Sequence, residues 1–252
     1  MQLTKSQYNL IADDDWLNHH FSQALLNEKI ARLSKPEVIQ LMLIAKCDSI
    51  MMCYAPLVYT NPKARIVLVG LTPGWSQMHI AVQECIQLRQ QSKLTDSIDR
   101  VRGHQASYFA GSMRINLIKM LDDINVNSYL GLKSTSALFS SSRNLMHATS
   151  VLRYPVFKNQ SNYTGYCPSP ASNVLLNYMV QNIFMAEVSG YTDCLVIPLG
   201  KVVTSCMASI SSCISNIKVV QGFPHPSSAN GHRLKQFRNN LDWLKSQIGS
   251  LS

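Results

Sequence analysis

The sequence predicts an α/β fold built on a parallel sheet. Three observations carry that prediction. Four short apolar runs, Ile66–Val69, Leu145–Val156, Asp193–Leu199 and Ile217–Val220, contain stretches with the length and composition of buried strands. Segments with helical spacing follow or separate them, which is the alternation a parallel sheet needs. The runs also end in turn-forming residues, most plainly at Gly70-Leu71-Thr72-Pro73-Gly74. Glycine there permits close backbone approach and unusual dihedrals, while Pro73 removes a donor and stiffens the exit. Loops beyond the carboxyl ends of such strands are where open α/β sheets bind their ligands.

In chain order, residues 10–46 read as helical in two pieces. Asp13 to Asp15 cap a first helix carrying Trp16, Phe21, Leu25 and Leu26. Ser34, Pro36 and Glu37 start a second, with Val38, Leu41, Met42 and Ile44–Ala45 as its buried face. Pro56 and Asn61-Pro62 break the stretch that feeds the first strand. A helix follows around Ile80–Arg89. The polar run beyond it carries Arg89, Lys93, Arg100, Arg102 and His104, a phosphate contact or a solvated loop. Tyr108 to Gly111 precede a helix Met113–Leu121. Residues 125–143 read as a connector, and Thr149 and Ser150 fall at or near the carboxyl end of the second strand. Residues 158–172 read as a polar loop, followed by helices Val174–Val188 and Val202–Ile210. The last strand runs into Gly222-Phe223-Pro224-His225-Pro226-Ser227-Ser228, and a helix from about Arg233 to Ile248 closes the chain. A histidine between two prolines is held in a stiff loop, an unusual place for a purely structural imidazole.

The composition narrows the classes. Hydrophobic residues make up 46% of the chain, which excludes a disordered protein. The formal net charge of +9 favours a polyanionic partner, nucleic acid before a membrane surface. No signal pattern opens the chain and no apolar stretch has membrane-spanning length, so an intracellular protein is expected, cytoplasmic in a prokaryote. The seven cysteines form no CxxC pair, which points to reduced thiols and no zinc site. GxSxG, GxGxxG and a complete phosphate loop are all absent. The adjacent acids Asp13–Asp15 and Asp122-Asp123 read as caps and surface rather than a nuclease metal site.

Two loops taken together resemble the uracil-DNA glycosylase superfamily. Strand–GLTPG at 70–74 is similar to that family's first motif, Gly-x-[Asp/Asn/Ala]-Pro-[Tyr/Gly]. Strand–HPSS at 225–228 is similar to its last, His-Pro-Ser. YFAGSMRINLIKML resembles the segment that places an aromatic ring over a flipped base, and Phe109 falls on that ring. MHATSVLRYP resembles the base-reading strand, and TDCLVIPLGKVV the third strand with its Leu-Gly turn. The resemblance covers roughly residues 60–245.

The resemblance implies a three-layer α/β/α fold with a central four-stranded parallel sheet. It implies one domain over 1–252, with 1–60 as a helical extension packed on it. The implied activity is hydrolysis of the bond between a flipped base and deoxyribose, leaving an abasic site. In that reading His225 donates a hydrogen bond to the departing base, and water sits near Thr72 and His79. Leu71, Trp75, Phe109, Thr149 and Ser150 surround the base. Ser169, Ser227, Ser228, Asn230, His232 and Arg233 meet DNA. No cofactor and no metal are implied, and the protein is expected to act as a monomer.

Two positions depart from the family pattern. Thr72 stands where the strongest uracil-removing members have Asp or Asn, and threonine is no general base at neutral pH. Ser150 stands where the family has the base-reading Asn. Smaller side chains leave room for a bulkier base, such as a modified cytosine in foreign DNA, as in defence against phage. Uracil itself is the alternative substrate, and a DNA-binding module without chemistry is the alternative to an enzyme.

Overall fold

The computed structural model describes residues 16–17, 19–21, 30, 32–57, 59–90, 108–109, 111–214 and 216–250. In chain order its main elements are α1 (Lys35–Leu41), β1 (Leu43–Cys47), β2 (Ile50–Cys53), β3 (Ile66–Gly70), α2 (Trp75–Gln90) and α3 (Ser112–Asp123). Then come β4 (Met146–Ser150), β5 (Val156–Lys158), β6 (Ser161–Asn162), α4 (Val174–Tyr178) and a π turn (Met179–Phe184) that runs into α5 (Met185–Ser189). The chain finishes with β7 (Leu195–Pro198), α6 (Lys201–Ser209), β8 (Lys218–Val219) and α7 (Arg233–Gly249). Asp13 to Asp15, Leu25 and Leu26, and the basic run from 91 to 107 lie outside the described residues.

The chain divides into two compact units. One comprises Met1–Tyr59, Thr72–Tyr108 and Leu152–Phe184; the other comprises Thr60–Leu71, Phe109–Val151 and Met185–Ser252.

The second unit holds the parallel sheet the sequence predicts. Its order is β4-β3-β7-β8, and every neighbouring pair is parallel. Ile66 pairs with both Met146 and Leu195, so the three longer strands start level. Ile66 to Val69 are fully buried, as a strand covered on both faces must be. Asn61 fixes the entry: its amide donates to the carbonyls of Asn144 (2.8 Å) and Met146 (3.1 Å). The mixed α/β fold with a four-stranded parallel sheet is thus as expected. The helices at 112–123, 201–209 and 233–249 also fall where their periodicity puts them.

The first unit holds a sheet the sequence reading missed. Strands β1-β2-β5-β6 form an antiparallel sheet. Residues 43–47 and 50–53 are therefore strands rather than part of a helical extension over 1–60. Helix α1 does start as expected, with the Glu37 carboxylate accepting from the Ser34 N–H (2.7 Å) and hydroxyl (2.5 Å). Those bonds hold the Glu37 carboxyl below its ordinary pKa. The helix ends at Leu41, because pairing with β2 satisfies the backbone that follows. The turn at Asp48-Ser49 carries the missed signal, since Asp48 has φ 52° and Cys47 pairs with Ile50 across it. The expected polar loop after 158 likewise begins as a hairpin. Asn159 and Gln160 both lie in the left-handed region (φ 47° and 64°), as a two-residue primed turn requires.

All seven cysteines are free thiols, as expected. Burial pushes the Cys53 thiol up to about 12, and Cys194 and Cys206 up to about 11, which keeps them protonated and unreactive. Among the described residues no helix is long and apolar enough to cross a membrane.

Candidate active site

The loop after β8 is built to hold one imidazole. Two glycines make it possible. Gly222 sits at φ 82°, and a Cβ there would clash with the Trp243 ring. Gly200, just beyond β7, sits at φ 100°; its N–H donates to the Phe223 carbonyl (3.0 Å), and a Cβ on it would lie 3.2 Å from the Cβ of His225. The chain after β8 is thereby drawn against the carboxyl end of β7.

His225 itself is half-buried between Pro224 and Pro226. Its Nδ1 accepts from the Ser227 N–H (3.2 Å), which places the proton of the neutral ring on Nε2. Burial lowers its pKa from the ordinary histidine value, so the ring is neutral at pH 7. No described residue accepts a hydrogen bond from Nε2. The result is a neutral N–H donor, fixed in direction and not consumed by the protein.

The neighbouring polar residues build this loop. Asn230 donates to the His225 carbonyl (3.3 Å) and accepts from the His232 N–H (3.2 Å). Arg233 donates through Nη1 to the carbonyls of Ser227 (2.9 Å) and Pro226 (3.3 Å). The Ser227 hydroxyl accepts from the Ala229 N–H (3.2 Å), and His232 is exposed. Ser228 reaches helix α3, where its hydroxyl meets those of Ser112 (3.2 Å) and the amide of Asn116 (3.2 Å). Asn116 also donates to the Pro226 carbonyl (3.0 Å). Sequence reasoning missed Asn116, because a polar residue on a helix reads as surface.

The same contacts tie the loop to the segment carrying Phe109. That residue is buried and sits at φ 51°, a left-handed conformation unusual for a bulky side chain. Arg114, also unforeseen, holds it: Nε donates to the Phe109 carbonyl (2.7 Å), and the guanidinium lies over the Phe139 ring (5.2 Å). Phe139 in turn meets Phe109 edge-on at 6.4 Å. Thr149 and Ser150 are buried at the carboxyl end of β4. Ser150 pairs with Gly70, where a Cβ would come within 3.4 Å of its hydroxyl. Leu71, next in the chain, is half-buried.

Thr72, Trp75, His79 and Ser169 belong to the other unit. The Thr72 hydroxyl donates to the Tyr154 carbonyl (2.9 Å) and accepts from the Val156 N–H (3.0 Å). Its single proton is therefore committed to the backbone, and the residue bridges the corner to β5. Trp75 opens α2 with its N–H on the Asn162 side-chain oxygen (2.9 Å), and its ring lies 5.2 Å from that of His79, one turn later. Ser169 donates to the Ser172 hydroxyl (3.0 Å) in a short turn.

One further polar pair in the second unit escaped the sequence reading. His147, on β4, has Nε2 2.9 Å from Oε1 of Glu187 on α5, and the two side chains are 1% and 4% exposed. Tyr191 stacks on the imidazole at 5.7 Å.

Fold and loop together define a mixed α/β protein with a rigid histidine beyond the edge strand of a parallel sheet. The chain belongs to the family of the uncharacterized protein YoxB of Bacillus subtilis (strain 168). The two are 41% identical over 197 residues, which is 77% of each chain. No family model and no solved structure matches the chain.

Proposed function

We propose that this chain is a DNA glycosylase that hydrolyses the bond between deoxyribose and a flipped, modified base. The observation that supports this reading best is His225: a neutral imidazole, with Nε2–H unspent, in a loop braced from both sides. In the reaction, water adds to C1′, the C1′–N bond breaks with its electron pair going to the base, one proton of the water passes to solvent, and the released base anion takes a proton from solvent. Negative charge grows on the departing base. A fixed donor aimed at that charge is worth more in the transition state than in the ground state, typically about 10²–10³-fold in rate. A neutral donor suits this role because it gains no counter-charge before the base leaves. In this reading Phe109 supplies an aromatic surface to the base, and Thr149 and Ser150 offer it short hydroxyls. In this reading a Ser where the resembled family has Asn leaves room for a base larger than uracil, a modified cytosine among them.

A second reading is a glycosylase-like module that binds DNA without chemistry. Thr72 favours it, since its proton is committed to Tyr154 and only a lone pair remains for a water. A panel of oligonucleotides separates the readings. Each would carry uracil or one modified cytosine, in single or double strands, and be assayed for free base by mass spectrometry and for alkali-labile sites. Release of a modified cytosine supports the proposal. Exclusive release of uracil would restrict it to the repair alternative, and tight binding with no release from any substrate would leave the module.

A further inference from the structure

We propose that the exposed face of α7 is a track for the phosphate backbone of duplex DNA, running away from the His225 loop. The helix buries Phe237, Leu244 and Ile248 on one side. Lys235, Arg238, Asp242 and Lys245 are exposed, and their spacing of three, four and three residues puts them in one row. The row carries three cations and one carboxylate. None of these four groups has an ion-pair partner among the described residues.

Four arginines of the same unit are engaged within it. Arg65 lies over Tyr129, Arg114 over Phe139, and Arg143 and Arg233 are hydrogen-bonded to carbonyls. Those guanidinium groups have work within the fold, whereas the three on α7 face solvent alone. Lys63, Lys119, Lys133, Lys201 and Lys218 are exposed in the same unit as well, one by one on separate segments; among the described residues of the unit, α7 is where three exposed cations follow one another along a single helix face.

The row is also fixed relative to the candidate site. Arg233, in the first turn of α7, holds the carbonyls of Pro226 and Ser227, next to His225. From Lys235 to Lys245 the helix rises about 15 Å at 1.5 Å per residue. That matches the axial rise of roughly four phosphates of one strand, at about 3.4 Å of duplex axis each. The row itself holds no aromatic platform of the kind single strands need, and Trp243, the exposed aromatic of the same helix, lies outside it. A membrane-lying helix would have to present its apolar face, and here that face is buried in the unit. The charge geometry selects a regular polyphosphate; that it is DNA rests on the proposed function.

The test uses the full-length chain and a fluorescently labelled, undamaged 30-base-pair DNA duplex, titrated across a range of salt concentrations. Each phosphate contact removed should lower the slope of log affinity against log salt by about 0.9. The triple change Lys235→Gln, Arg238→Gln, Lys245→Gln should flatten it by about 2 to 3 and weaken binding at least about tenfold at low salt. Asp242→Asn, which removes the one negative group from the row, should strengthen binding, an outcome that misfolding cannot mimic. An unchanged slope in the triple variant, no duplex binding by the wild type, or binding only to anionic phospholipid vesicles would overturn the proposal. Base release with an unchanged slope would remove the track and leave the glycosylase. A flattened slope with no base release would do the reverse.

Discussion

The loop around His225 and the corner at Thr72 both follow a parallel-sheet strand, directly or after a short link, and both combine Gly with Pro. They differ in what their polar side chains have left to give. Around His225, backbone and side-chain groups are satisfied by Ser227, Asn230, Asn116 and Arg233, and the imidazole keeps its Nε2 proton. At Thr72 the side chain itself satisfies the backbone, donating to Tyr154 and receiving from Val156. A reactive group is one whose neighbours do the structural work for it. A hydroxyl that does that work is part of the scaffold.

The comparison breaks most sharply at His225. His225→Ala should reduce base release by about 10²–10³-fold while circular dichroism and melting stay close to wild type. A variant that melts early instead would make His225 structural. Gly200→Ala comes next. Its φ of 100° and ψ of 165° lie in a region reserved for glycine, so the change should cost about 1–3 kcal/mol in chemical denaturation. It should also slow base release, because the new methyl pushes on His225. Thr72→Val keeps the shape and removes the hydroxyl. It should cost about 1 kcal/mol by leaving a carbonyl and an N–H unmet, and leave the rate of folded protein within about threefold of wild type. A large rate loss with unchanged stability would move Thr72 from the scaffold into the chemistry.

The smallest expected effect is on pH. Because the folded pKa of His225 lies below its unfolded value, protons favour the unfolded chain. Its contribution to stability is full above the ordinary histidine pKa and is lost as pH falls through the lowered folded value. Base release should decline over the same acidic range, because a proton on Nδ1 displaces the Ser227 N–H that fixes the ring. Thermal melts and single-turnover rates between pH 5 and 8, with His225→Gln as control, measure both.

What the sequence made legible follows the range of the interactions involved. Gly, Pro and apolar runs act locally, so the four parallel strands, the carboxyl-end position of Thr149 and Ser150, and the stiff His225 loop could be read directly. Primed hairpin turns are local too. Asp48-Ser49 and Asn159-Gln160 were passed over because helical spacing and polar composition masked the short strands beside them. The braces were not legible. Asn116 meets Pro226 and Ser228 more than a hundred residues away, and His147 meets Glu187 forty residues on. Arg114 reaches back only five residues, but nothing in the sequence says that Phe109 needs holding.

The two units are woven from a single thread. The chain passes between them at 59/60, 71/72, 108/109, 151/152 and 184/185. Neither can therefore be cut out as a contiguous fragment or exchanged as a cassette. During synthesis the first unit waits for residue 184, and the second waits for the helix that ends at Gly249. The parallel sheet pairs strands about 80 and 130 residues apart, and such distant partners make folding slow.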